Sequence, residues 1–159
     1  MPEVIMICGR LCSGKSTYAK QLKKDGRRVL LSVDELMLSV LETQLGEKHD
    51  DYVHRTKKYL LNKSLEILST GADIILDWGF WKKSERDSVK SFYSERGFEA
   101  SLHFIDIPVD EWEKRISRRN SQVENGETSA YFVDEGLKKK FLGMFEQPYE
   151  DEPDIIVAD

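Results

Sequence analysis

Apolar residues along the 159-residue chain gather in five short runs separated by stretches with helical spacing. Val4-Ile5-Met6-Ile7-Cys8 is continuously apolar, as a parallel strand buried on both faces requires. Residues 27–32, 72–77, 100–107 and 154–158 supply four more candidate strands. Thr17 to Lys24 predicts an amphipathic helix with Tyr18, Ala19 and Leu22 inward. Ser32 followed three residues later by Glu35 resembles a capping box, so a helix is expected through Leu36, Val40 and Leu41. Gly46 interrupts the pattern, and residues 50–69 then predict a long helix with Val53, Tyr59, Leu60, Ile67 and Leu68 available to a core, ended by Gly71. His49 and His54 fall in or near its first turns, in polar surroundings, and are expected at the surface. Arg86 is expected to open a further amphipathic helix closed by Gly97, Asp110 with Glu113 marks an acidic helix start, and Asp134 precedes a helix carrying Leu137, Phe141, Leu142 and Phe145. Residues 121–129 show no apolar periodicity and are expected to form a mobile segment. Five strands alternating with helices, without internal repeats, predict one α/β sandwich domain over residues 1–159.

Between the first strand and the first helix lies Gly9-Arg10-Leu11-Cys12-Ser13-Gly14-Lys15-Ser16-Thr17, which fits GxxxxGK[ST]. Gly9 and Gly14 permit backbone angles and a closeness of approach that a Cβ would block. Successive N–H groups across Cys12, Ser13 and Gly14 can then converge on phosphate oxygens, and the helix that follows adds its positive dipole end. Lys15 is placed to neutralise charge on the β and γ phosphates of ATP, Ser16 to ligate Mg²⁺, and Thr17 to reach the α phosphate. The strand, the glycine loop and the helix together are the context such a loop needs.

Further chemistry is expected at the carboxyl ends of the strands, where open α/β sheets bind ligands. Asp34 follows the second strand, as a general base or orienting carboxylate for an attacking hydroxyl, or simply as an acid at a helix start. Asp77 ends the third strand after an apolar run, close to Mg²⁺ or to an acceptor substrate. Trp78-Gly79-Phe80-Trp81 follows at once, a load of rings that suits either an acceptor pocket or a cover over the core. Arg86 is near enough in sequence to face the same cavity, with a surface ion pair as the plainer alternative. Arg115, Arg118 and Arg119 lie on one predicted helix, and Arg115 shares a face with either of the others. They suit a cationic lid over a nucleotide, or else a solvated basic face.

A net charge of −5 argues against broad adhesion to nucleic acid or anionic membrane, though a local basic groove is compatible with it. No apolar run is long enough to span a bilayer and the first residues do not read as a signal peptide, so a cytoplasmic location is expected. Cys8 and Cys12 are the only cysteines, and their placement on strand and loop favours a reduced, structural pair.

The loop at Gly9–Thr17, Val33-Asp34-Glu35, Leu76-Asp77-Trp78-Gly79-Phe80-Trp81 with Arg86, Asp106-Ile107-Pro108, and Arg115 to Asn120 together resemble the P-loop kinase family that includes polynucleotide kinase and chloramphenicol phosphotransferase. The resemblance runs nearly end to end. It implies a parallel sheet in the order 2-3-1-4-5, an arginine lid after the fourth strand, Asp34 as general base, and Arg115 and Arg119 as lid residues that meet adenine and the transferred phosphoryl group. Polynucleotide kinases carry an arginine three residues after the catalytic aspartate, where this chain has Met37. A small hydroxylated acceptor is therefore expected ahead of a 5′-hydroxyl polynucleotide. A nucleotide-dependent switch without an acceptor is the reading from a different class.

Overall fold

The computed structural model describes residues 1–42, 45–127 and 132–158. Along the chain run β1 (Val4–Cys8), α1 (Lys15–Lys23), β2 (Arg28–Ser32), α2 (Val33–Val40), a 3-10 turn (Gly46–Lys48), α3 (His49–Ser69), β3 (Asp73–Gly79), α4 (Lys83–Ser94), β4 (Ala100–Asp106), α5 (Val109–Glu124), α6 (Glu135–Met144) and β5 (Ile155–Ala158). The strands form one sheet in the order β2-β3-β1-β4-β5, and every neighbouring pair is parallel. This is the order that the family resemblance implied.

β1 lies at the centre, and its five residues are buried. Because side chains alternate across a strand, Val4, Met6 and Cys8 enter one core with α2, α3 and α4, while Ile5 and Ile7 enter another with α1 and α5. β3 and β4 repeat the division: Ile74, Leu76, Leu102 and Phe104 on the first side, Ile75 and Ile105 on the second. Each such aliphatic side chain, fully removed from water, contributes about 1.5–3 kcal/mol before the opposing conformational entropy.

Helix starts follow the expected capping chemistry at two places. The Ser32 hydroxyl accepts from the Glu35 amide at the head of α2, and the Asp134 carboxylate accepts from the Leu137 amide at the head of α6. α5 starts differently, directly after Pro108 and without a side-chain cap, its first-turn Asp110 and Glu111 favoured by the helix dipole. Several boundaries differ from the sequence pattern, α1 for one beginning at Lys15 ahead of Thr17. β3 runs on through Gly79, α4 begins at Lys83 ahead of Arg86, and α5 continues to Glu124. Residues 121–124 are thus helical although their composition is polar, because Trp112 and Ile116 anchor the preceding turns and the helix propagates from them. The expected mobile segment ends at residue 129, and its last two residues lie outside the described ones.

A titratable histidine sits on the second side of the sheet. His103 on β4 is buried, with Nδ1 2.7 Å from the Tyr18 hydroxyl and Nε2 3.4 Å from the Ser101 hydroxyl. Burial holds its pKa below the ordinary histidine value; Asp154 opposes that shift and Arg28 adds to it. Since the folded protein prefers neutral His103, this preference supports stability above the unfolded-state pKa of about 6.5 and is lost as pH falls below it. Chemical denaturation between pH 7.5 and 5 should show stability decreasing on acidification by up to about 1.4 kcal/mol per pH unit from this group. His103→Gln should remove that component of the slope; an unchanged slope would exclude His103 as its source.

Candidate active site

The loop after β1 is shaped by two left-handed residues, Gly14 (φ 101°) and Cys12 (φ 60°). Glycine takes this conformation freely, whereas Cys12 is held there by its neighbours. Gly9 is needed for closeness, since a Cβ there would lie 2.6 Å from the Ser13 hydroxyl and 3.3 Å from Ile105 Cβ. Inside the turn the Ser13 amide donates to the Arg10 carbonyl over 3.1 Å. The Ser13 hydroxyl is buried without a hydrogen-bond partner among the described residues, a polar atom in a cradle where a bound anion or water would satisfy it.

Lys15 opens α1 and reaches back across this loop, its Nζ donating to the Arg10 carbonyl over 2.9 Å. Burial lowers its pKa, opposed by the charges of Asp77 and Asp34. Ser16 lies beside it, with its hydroxyl donating to Asp77 Oδ2 over 3.2 Å. Asp77, only 8% exposed, has its pKa raised by burial; Lys15 and the Ser16 hydrogen bond oppose that rise, and Asp34 and Glu35 reinforce it. These effects place Asp34 and Glu35 in the electrostatic neighbourhood of the loop. Register explains it: Ser32 on β2 pairs with Asp77 on β3, so the acids that open α2 emerge next to the acid that closes the apolar run of β3. Asp34 itself is exposed, as are Ser16 and Thr17.

Both expected lid arginines rest against the loop from α5. Arg115 Nη1 donates to the Ser13 carbonyl over 2.9 Å while its Nε meets Glu111, and Arg119 Nη1 lies 3.2 Å from Cys12 Sγ. Arg118 is exposed. The alternative of a solvated basic face thus holds for Arg118 only.

The aromatic segment is built into the scaffold. Trp78 Nε1 donates to the Leu31 carbonyl over 3.0 Å and its ring stacks on Phe80; Trp81 Nε1 donates to the Gly9 carbonyl over 3.1 Å and its ring meets Phe141 edge-on. Arg86 departs from its expected place at a substrate cavity. Its side chain is 1% exposed, ion-paired to Glu152 at 2.6 Å, and donates to the Phe80 carbonyl at 2.8 Å. The reason is energetic: a guanidinium turned into the core must meet acceptors, and the acidic loop after α6 supplies them.

Between α2 and α3, an apolar groove of about 280 Å³ is lined by Leu36, Met37, Leu41, Tyr52, Tyr59 and Arg55, among others. Leu38 and Val40 on α2 are 57% and 69% exposed. Other contributors were not visible in the local pattern. Trp112, fully buried, donates from its indole to the Leu11 carbonyl and braces the loop from α5. Its signal was only a large ring at a core-facing spacing. The Ser32–Glu35 spacing predicts Glu35 as a capping partner and gives no sign that its charge acts on Asp77.

Among the described residues no group of three or more His, Cys, Asp or Glu side chains is arranged to hold a metal, and no helix is long and apolar enough to cross a membrane. A hydroxyl and a carboxylate in contact, Ser16 and Asp77, fit Mg²⁺ in a different way, because that ion keeps much of its water and takes few protein ligands.

A parallel sheet in this order, with a glycine loop feeding Lys15 and Ser16 into a helix and an acid on the neighbouring strand, defines a P-loop kinase fold. The profile of the AAA domain family, AAA_33, matches residues 4–148, and the chain belongs to that family. Among solved structures, a Chloroflexus aurantiacus protein provisionally termed a kinase superposes with a TM-score of 0.75 at 17% identity, covering 99% of this chain and 88% of that one. The Mycobacterium tuberculosis APS kinase CysC, solved with AMPPNP and APS, gives 0.63 at 16% identity over 99% of this chain and 88% of its own. The Pnkp1/Rnl/Hen1 complex gives 0.62 at 22% identity, covering 72% of this chain and 38% of the matched chain. Among curated sequences, DNA polymerase I of Geobacillus stearothermophilus is 27% identical over 125 residues, which span 76% of this chain and 14% of that protein.

Proposed function

We propose that this chain transfers the γ-phosphoryl group of ATP to a hydroxyl group of a small-molecule acceptor. The observation that carries the reading is the convergence of Lys15, the Ser16–Asp77 pair and the carboxylates that open α2 around one phosphate cradle. In-line phosphoryl transfer asks a protein mainly for positioning and for charge compensation. The loop amides and Lys15 hold the β and γ phosphates, and Arg115 and Arg119 offer positive charge from α5. Ser16 and Asp77 would hold Mg²⁺, which neutralises phosphate charge when bound. Asp34, exposed at the carboxyl end of the sheet, accepts the proton of the acceptor hydroxyl as its oxygen attacks.

The groove between α2 and α3 is the acceptor site in this reading. Its apolar lining, with Met37 where polynucleotide kinases carry an arginine, favours a compact acceptor over a phosphodiester chain. Likeness in fold to the Pnkp1/Rnl/Hen1 complex makes a 5′-hydroxyl polynucleotide the second acceptor to test. The experiment is transfer of label from γ-labelled ATP to a panel of nucleosides, sugars, aminoglycosides, chloramphenicol-like compounds and 5′-hydroxyl oligonucleotides. Label on a small molecule is the expected result. Label confined to oligonucleotides would replace the small acceptor with nucleic acid, and nucleotide binding with weak hydrolysis alone, stimulated by a protein partner, would favour a switch.

A further inference from the structure

The backbone that leaves β3 turns through two consecutive left-handed residues, Gly79 (φ 81°) and Phe80 (φ 49°). Glycine takes such a value without cost, but a bulky side chain keeps it only where its surroundings over-determine it. Here they do. The Phe80 ring is fully buried, and its carbonyl is held from two sides, by the Cys8 thiol at 3.3 Å and by Arg86 Nη1 at 2.8 Å. Arg86 is in turn fixed by Glu152, through Nε to Oε2 at 2.6 Å and Nη2 to Oε1 at 3.2 Å.

This corner grips the first glycine of the phosphate loop by both of its backbone polar groups. The Gly9 amide donates to the Gly79 carbonyl over 3.0 Å, and the Gly9 carbonyl accepts from Trp81 Nε1 over 3.1 Å. The indole also packs on Gly79 itself, where a Cβ would lie 2.9 Å from Trp81 Nε1. Glu146 adds a brace, its amide donating to the Trp81 carbonyl and its carboxylate accepting from the Lys83 amide.

We infer that Arg86, clamped by Glu152, is a positioning residue for the nucleotide site: it fixes the Phe80 carbonyl and, through the Gly79–Trp81 corner, sets Gly9 in the phosphate loop. The inference rests on reading Gly9–Thr17 as the phosphate cradle. It assigns the acidic stretch after α6, 66 residues from Arg86 in sequence, a part in shaping the phosphate loop. Lysine in place of Arg86 supplies one point of positive charge and cannot make the forked pair with Glu152 while also reaching the Phe80 carbonyl.

The test measures amide and indole hydrogen exchange by NMR, and binding of a fluorescent ADP analogue, in wild type, Arg86→Lys and Glu152→Gln. Expected is exchange about tenfold faster at the Gly9 amide and Trp81 Nε1–H, in the range of a lost charge-assisted hydrogen bond, with the Leu76 amide in mid-β3 unchanged. Analogue affinity should fall about tenfold in parallel. Wild-type protection at Gly9 and Trp81 in both variants would overturn the inference, as would acceleration of Leu76 by the same factor, which marks a merely global loss of stability. Exchange is read without nucleotide. A wild type that bound no analogue would therefore sink the kinase reading while the exchange ratios still decided the role of Arg86.

Discussion

Lys15→Ala should lower kcat/KM for phosphoryl transfer by at least about 10²–10³-fold, the usual scale for removing one preorganised charge that faces a developing anion. In the structure the ammonium leans on the Arg10 carbonyl within the loop, and burial there disfavours its charged form. A di- or triphosphate supplies the negative charge that such a cation lacks, so its electrostatic work is done on bound phosphate. Arginine should not rescue the variant, because its planar fork is longer than the ammonium and does not fit a loop shaped around a point charge. The same variant should unfold near the wild-type denaturation midpoint, since the desolvation cost relieved at the partly buried Lys15 is offset by the positive charge that the buried Asp77 carboxylate loses. Steady-state kinetics with urea denaturation separates the two effects. Loss of activity accompanied by equal loss of folding would remove Lys15 from the site and make it a scaffold residue.

Asp34→Asn should reduce kcat by about 10²–10⁴-fold, the contribution typical of a positioned general base, while nucleotide affinity changes by no more than about twofold. The structure separates Asp34 from the plainer role of capping α2, because the Ser32 hydroxyl already accepts the Glu35 amide. Stability should therefore fall only by the helix-dipole interaction of an exposed first-turn acid, about 0.3–1 kcal/mol. Asparagine keeps the size and a hydrogen-bonding oxygen but cannot take a proton. Transfer at the wild-type rate by Asp34→Asn would exclude Asp34 as the base, and unchanged slow hydrolysis without any acceptor would favour the switch.

Much of this fold was legible because its signals are local. Continuous apolar runs identify β1 and the core of β3, and Ser32 with Glu35 identifies the start of α2. The phosphate loop was legible for the same reason, since the motif that identifies it spans only nine positions. Sheet order was not in the periodicity at all; it entered through the family resemblance, because strand adjacency is a property of packing. Arg86 misled for a related reason. Its sequence neighbours Glu85 and Asp87 suggested a surface pair, whereas its partner Glu152 lies in a loop beyond β4, α5 and α6. Trp81 was equally opaque: a ring after an acid suggests a pocket, and only the folded backbone shows its N–H committed to Gly9. The α5 helix outlasted its pattern because a helix needs few anchors once two buried turns hold it.

The sheet is also a partition. α1 and α5, which carry Lys15 and the pair Arg115 and Arg119, lean on the core that contains Ile5, Ile7 and Trp112. α2 and α3, which flank the proposed acceptor groove, lean on the core of Val4, Met6 and Leu76. Substitutions on α2 and α3 that spare the Phe80–Trp81 corner, which the first core also holds, leave the second core in place. A lineage built on this plan, or a designer working with it, can reshape the proposed acceptor groove without rebuilding the helices that carry Lys15, Arg115 and Arg119.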